Sequence, residues 1–414
     1  MIWTIARKEI VSNLLSYKFF IVVVLTSVLV FTSFFIMYKD YKDRLADYQI
    51  IKPDQEEPIA VLPPNSLSIF AKGLDEAMAR SFEITVIGIT VRSGQKSGNI
   101  VFSFFPTPDF LYMVKVVLSL VALLFGFDQV SREREQGTLK LMLSGTVSRA
   151  RVLVGKWTGN FLSLVVPFLL VVLLGIAFLS LDPDISFSRH QSARLAFILF
   201  LTVLYIAFFL SLGILISTMT RKTAASVVAL LFSWTLLVFI LPNLGTLLAR
   251  QMVDVPSVLA LNEKRNQIWT REILLGLQDR NLGTHYSHIN TEQEKLEEDY
   301  RNRFNRLVKL SKSINRVSPV ASYVYAAMDL AGTGIGEEEN LKRSVISYKN
   351  SILPDVSAAV LERTETRYPA FVYQYRSVPE VLARGTLFDT TWLIVFNLFF
   401  FALSYSAFIR YDVR

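Results

Sequence analysis

The charged residues with the most distinctive spacing lie between 129 and 158. The run Ser131-Arg-Glu-Arg-Glu-Gln-Gly-Thr-Leu-Lys-Leu-Met-Leu-Ser144 alternates arginine and glutamate, then turns apolar. It is followed by Gly-Thr-Val-Ser-Arg149 and by Gly155-Lys156. Arg132, Glu133, Arg134, Glu135 and Lys140 can form charge-assisted hydrogen bonds with another protein surface. Gly137 allows a backbone to approach closely. The plain alternative is a basic loop that only fixes topology.

Other chemistries are weaker. A phosphate-cradling loop needs Gly-x-x-x-x-Gly-Lys-Ser/Thr, but Trp157 follows Gly155-Lys156 and Ala150 stands where the first glycine belongs. His285-x-x-His288 offers two imidazoles without a third ligand, which is not a zinc site. Glu337-Glu-Glu339 reads as a solvated helix start favoured by the helix dipole. Gly155-x-x-x-Gly159 has the spacing of a helix-packing motif, common by chance. Cysteine is absent, which removes thiol catalysis and disulfide staples. No nucleophile–base pair or carboxylate pair stands out. The residues assign this chain no catalytic, cofactor-binding or metal-ligating group.

The elements that hold these residues are membrane spans. The chain of 414 residues is 52% hydrophobic and 19% charged, below the ~25% charged content of soluble domains. Its mean hydropathy is +0.40. Runs of roughly 20 apolar residues, the length a bilayer core demands, lie at 19–38, 111–128, 159–181, 193–217, 223–248 and 391–409. Residues 1–18 form an interfacial amphipathic helix, with Arg7, Lys8 and Glu9 opposite an apolar face. The fold class expected is a mainly α membrane protein with six transmembrane helices. Its extracytoplasmic domain is built from two insertions, a small α/β segment and a helical segment.

An even number of spans puts both termini, 129–158 and 218–222 on one side. With Asp128 at the end of the second run counted on that side, Lys and Arg there outnumber Asp and Glu by eight, the whole formal net charge of the chain. That side is therefore read as cytoplasmic, in a bacterial or archaeal plasma membrane. The same location explains the pI of 9.4 as attraction to membrane lipid rather than nucleic acid. Lys115, Asp128, Arg194 and Asp389 fall near span ends, so the interior lacks the ionisable groups of ion-coupled carriers.

The external segment 39–110 has a Pro-rich connector (Pro53, Pro58, Pro63, Pro64). A strand is expected over 81–91, where Phe82, Ile84 and Val86 alternate with other residues. The segment 249–390 is too long for a bare loop and reads as a helical domain. Helices are expected over 257–279, 292–316 and 340–367, the last interrupted at Pro354, with a flexible joint at 331–336.

With these residues in place, the chain resembles the permease subunits of type-2 ABC exporters, in the subgroup with large extracytoplasmic insertions. The resemblance rests on Glu135, Gly137, Thr138, Leu139, Leu143, Ser144, Val147, Ser148, Arg149, Gly155 and Lys156, and on Ala6-Arg-Lys-Glu9. It departs at Thr146, where relatives often carry proline. It implies that 131–144 is a coupling helix, with Arg132, Glu133, Arg134, Glu135, Gly137, Thr138, Leu139 and Arg149 meeting a separate ABC ATPase subunit. That partner would bind ATP and magnesium; this chain would not. It implies export powered by that ATPase, and a dimer with a second permease copy or a related permease. The alternative is a mechanotransmitting subunit that drives an external partner protein and moves no cargo through its own helices.

Overall fold

The computed structural model describes residues 1–51, 57–75, 81–85, 88–92, 108–144, 147–279, 282–362 and 366–410. Pro53, Val86, Gly145 and Thr146, used above, lie outside them. Six helices are long and apolar enough to cross a membrane: Tyr17–Ile50, Phe110–Glu135, Arg149–Leu179, Arg189–Met219, Thr223–Met252 and Val378–Ile409. They are called the first to sixth spans. The chain divides into two compact units, Met1–Trp234 with Ser322–Arg414, and Thr235–Ala321.

In the first unit the fourth span is central. Asn397 of the sixth span donates to the Leu204 carbonyl at 3.0 Å, and Ser404 donates to the Ser211 carbonyl at 3.2 Å. Trp157 of the third span donates to the Ser211 hydroxyl at 2.9 Å. In lipid no water competes for these polar groups, so each finds a protein partner. The N-terminal helix Ile2–Leu14 lies against the start of the third span. A Cβ at Gly155 would stand 2.8 Å from Ile5 Cβ, and one at Gly159 would stand 2.7 Å from Glu9 Cβ. The Gly-x-x-x-Gly spacing therefore serves this contact.

On the far side of the same unit, β1 (Ile59–Val61), β2 (Ser81–Thr85) and β3 (Gly88–Arg92) form an antiparallel sheet in the order β1-β2-β3. The expected single strand over 81–91 is thus a hairpin, pairing Ser81 with Arg92 and Thr85 with Gly88. Phe82 and Ile84 point the same way, as the two-residue period requires. They pack on the helix Ile335–Glu362 through Leu341, Val345, Ile352 and Val356. That helix starts earlier than expected and continues through Pro354. Pro354 and Asn350 are exposed, so water can satisfy the carbonyl that proline leaves without a donor.

Two further expectations change here. The joint at 331–336 is clasped: Asn65 donates to the Ala331 carbonyl at 2.7 Å, and Thr333 to the Ala71 carbonyl at 2.8 Å. Glu337 is not a solvated helix start. It is 1% exposed and accepts from Arg376 Nε at 2.8 Å and from the Tyr373 hydroxyl at 2.5 Å. The helix start supplies a favourable dipole, but burial makes the paired arginine the dominant partner. Arg194, expected merely near a span end, is buried and donates to the carbonyls of Leu330 and Arg376.

The second unit is a set of antiparallel helices: Leu241–Met252, Val258–Gln278 and Leu282–Asn315. A π-helical turn, Leu236–Ile240, precedes Pro242. The wider turn absorbs the proline, so the fifth span continues instead of breaking. Gly245 N donates to Asn315 Oδ1 at 3.0 Å. Arg271 pairs with Glu292 at 2.5 Å, and His285 Nδ1 meets Glu272 at 2.9 Å. These pairings extend the last helix ten residues upstream of the expected 292. Tertiary contacts outweigh the weak helix preference of Thr284, His285 and Asn290.

Two measurements follow from this packing. Glu337→Ala strands the buried Arg376 guanidinium and is expected to cost about 3–5 kcal/mol; loss of protection of 335–362 in limited proteolysis of the solubilised protein checks it. In the loop after the third span, Lys42 and Tyr38 donate to Asp182 and hold its carboxyl at about 2, below the ~3.9 of an unfolded chain. The clasp then adds stability above about pH 4 that fades as pH falls toward 2. The melting-temperature gap between wild type and Asp182→Asn should be steady down to about pH 4 and close below it.

Candidate functional site

Where the second span runs out toward the third, the chain forms two short helices rather than one. Ser131–Glu135 and Thr138–Leu143 are separated by Gln136 and by Gly137, whose φ is +73°. That left-handed conformation is the reason for glycine here, since any Cβ would be strained in it. The space around Gly137 is open, with nothing within 4 Å of a Cβ placed there. The second helix buries Leu139 and exposes Thr138, Lys140 and Leu141, the last 76% exposed.

Most charges of this stretch turn inward, each to a different helix end. Arg134 donates to the carbonyls of Thr220 at 2.8 Å and Thr218 at 3.0 Å, closing the end of the fourth span. The last carbonyls of a helix lack intrahelical donors and carry the negative end of its dipole, so a guanidinium suits them. Glu135 accepts from Thr223 Oγ1 at 2.7 Å and from its N–H at 3.3 Å. There a carboxylate meets the positive start of the fifth span. Arg149 donates to the Ile409 carbonyl at the end of the sixth span. Val130 N and Ser131 N both donate to the Ser217 hydroxyl at 3.0 Å.

The centre of the arrangement is Lys156, 2% exposed. Its ammonium lies 2.7 Å from Glu133 and 3.1 Å from Glu9. One cation thus ties the short helices, the third span and the N-terminal helix together. Beside it, Asn160 Oδ1 accepts from Asn13 at 2.9 Å and from Gln129 at 3.0 Å. Buried polar groups bonded on all sides rigidify the elements that carry them.

Of the residues singled out in the sequence, Glu133, Arg134, Glu135, Leu139 and Arg149 anchor the loop. Arg132 lies 4.0 Å from Asp128 with its side chain 64% exposed. With Gln136, Gly137, Thr138, Lys140 and Leu141 it forms the outward face. Sequence reasoning missed Ser217, Thr220 and Thr223 as partners, because hydroxyls and carbonyls at helix ends carry no pattern. Glu9 and Lys156 were seen as motif members, and their pairing was foreshadowed only by the Gly155/Gly159 spacing. Among the described residues no group of three His, Cys, Asp or Glu could hold a metal. His285 instead bonds Glu272, which holds the Glu272 carboxyl below its usual range.

Lys156→Met leaves two carboxylates together without their cation. It should destabilise the protein by roughly 3–5 kcal/mol, while Lys156→Arg keeps most of the stability; thermal unfolding of the two purified variants separates them.

Comparison with known proteins agrees with this architecture. Residues 3–413 match the family model described as ABC-2 family transporter protein. The chain is also 29% identical over 96 residues to the probable ABC transporter permease protein NosY of Stutzerimonas stutzeri. That similarity spans 23% of this chain and 35% of the relative. With the family model matched over nearly its whole length, the chain belongs to the ABC-2 transporter family, as a multi-pass membrane subunit of an ABC transporter.

Proposed function

We propose that the protein is the membrane-spanning half of an ATP-driven exporter, and that the helix pair Ser131–Glu135 and Thr138–Leu143 receives the stroke of a separate ATPase. One observation carries this reading. The pair is anchored by Arg134, Glu135 and Lys156 to the ends of the fourth, fifth and third spans, yet leaves Lys140 and Leu141 exposed. A displacement applied at Leu141 reaches several spans through short, charge-assisted bonds that resist stretching. An exposed apolar side chain among charges is also what a protein groove accepts.

The remaining parts of the reading agree with one another. The basic excess beside the termini supports a cytoplasmic location, at a plasma membrane, for them and the helix pair, where an ATPase has access to ATP. ATP and magnesium are assigned to that partner, because Gly155-Lys156 lies inside the third span's helix with its lysine in ion pairs. Only 17% of the apolar window is buried in each of the fifth and sixth spans. Such open faces suit lipid on one side and a second permease on the other, and a pathway between two copies.

Leu141→Glu tests the coupling face without touching an anchor. The ATPase recovered with the detergent-extracted protein from its native membrane should fall about tenfold, ~1.4 kcal/mol of interface energy, with the melting temperature unchanged. Undiminished recovery would remove the helix pair as the contact.

A further inference from the structure

Charge is segregated along the helix Leu282–Asn315. Its first part holds Glu292, Glu294, Glu297, Glu298 and Asp299 against Lys295. After Asp299 no acid occurs before Asp329, whereas Arg301, Arg306, Lys309, Lys312 and Arg316 follow. At about 100° per residue these five occupy roughly 140° of the helix circumference. Arg303 falls off that arc and pairs with Asp299 at 2.9 Å. Leu307, Leu310, Ile314 and Asn315 lie on the other side. Arg301, Arg306 and Lys309 are exposed and form no ion pair among the described residues.

The basic end is the end beside the membrane. Asn315 is bonded to Gly245, and Ser311 to Thr246 at 3.1 Å. Both partners belong to Leu241–Met252, which continues the fifth span without a break. In the same unit Leu247, Leu248 and Met252 stay exposed, so that helix carries apolar surface outward from the span. Lys and Arg close to span ends are selected against on the side opposite the termini. A cluster there is not a topology signal and needs another reason. The acidic half, by contrast, is engaged with the neighbouring helix through Arg265 and Arg271.

We infer that the face carrying Arg306 and Lys309, with Arg301 at its outer edge, seats the headgroups of anionic phospholipids in the leaflet opposite the termini. Apolar side chains that enter the interface and cations that reach phosphate oxygens from just above it are the two parts of a lipid-binding surface. An acidic protein would satisfy the cations but not the apolar side chains left exposed in the same unit. The inference rests on the six-span orientation proposed above.

The absence of native cysteine allows a single fluorophore at Ser313→Cys, an exposed position on the same face. The full chain is placed in bilayers of phosphatidylcholine and phosphatidylglycerol, with a headgroup spin label on one lipid or the other. Labelled phosphatidylglycerol should quench several-fold better than labelled phosphatidylcholine. Arg306→Gln with Lys309→Gln, or high salt, should abolish the preference. Equal quenching by both lipids in the parent overturns the inference, as does quenching by neither. In the latter case, crosslinking from Ser313→Cys to an acidic protein in native membranes would reassign the face to that protein. The orientation is read separately, by whether an impermeant maleimide labels Ser313→Cys in intact cells. Labelling without lipid preference therefore defeats the inference and leaves the orientation standing.

Discussion

An ammonium group withdrawn from water stays charged only if carboxylates or other acceptors replace its hydration shell. Lys156 meets that demand with Glu133 and Glu9, and the inner face of the bundle is organised around the result. Glu133 can reach Lys156 only if its short helix lies flat against the third span. Glu9 can do so only if the N-terminal helix crosses at Gly155 and Gly159 without side chains in the way. The requirement to neutralise one cation thereby fixes three elements at once. It also leaves the neighbouring Arg134 and Glu135 facing the ends of the fourth and fifth spans.

Helix ends at a membrane surface present a second requirement of the same kind. Their last carbonyls and first amides have no partners within the helix. In this protein the loop between the second and third spans supplies several of those partners, through Arg134, Glu135 and Ser131, and Arg149 supplies another at the sixth span. A segment that caps several spans cannot move without moving them. The result is stiffness toward the bundle beside an open, chemically mixed outward face.

The opposite side of the first unit uses burial more than charge. The hairpin of β2 and β3 lays Phe82 and Ile84 on the helix Ile335–Glu362. Glu337 and Arg376 then fix the start of that helix. The second unit is different in kind. Its long helices are held by the exposed Arg271–Glu292 pair, the buried Glu272 carboxylate on His285 and the amide contact at Gly245, and much of its apolar and basic surface faces outward.

The spans were legible in the sequence because lipid imposes a length and a composition that few other environments demand. The family motif was legible for a related reason, since the glycine at 137 and the charges around it are required by local backbone conformation and by helix ends. Strand count, the burial of Glu337 and the start of the helix at 282 were not legible. Each depends on a partner distant in sequence: Arg92 beside Ser81, Arg376 beside Glu337, Glu272 beside His285. Sequence alone therefore determined what must lie in the bilayer and which loop gathers the alternating charges. Only the tertiary structure decided which charges of that loop are spent on the protein's own helix ends and which stay exposed. A charge's role is set by the neighbour that folding brings to it, and residue type does not specify that neighbour.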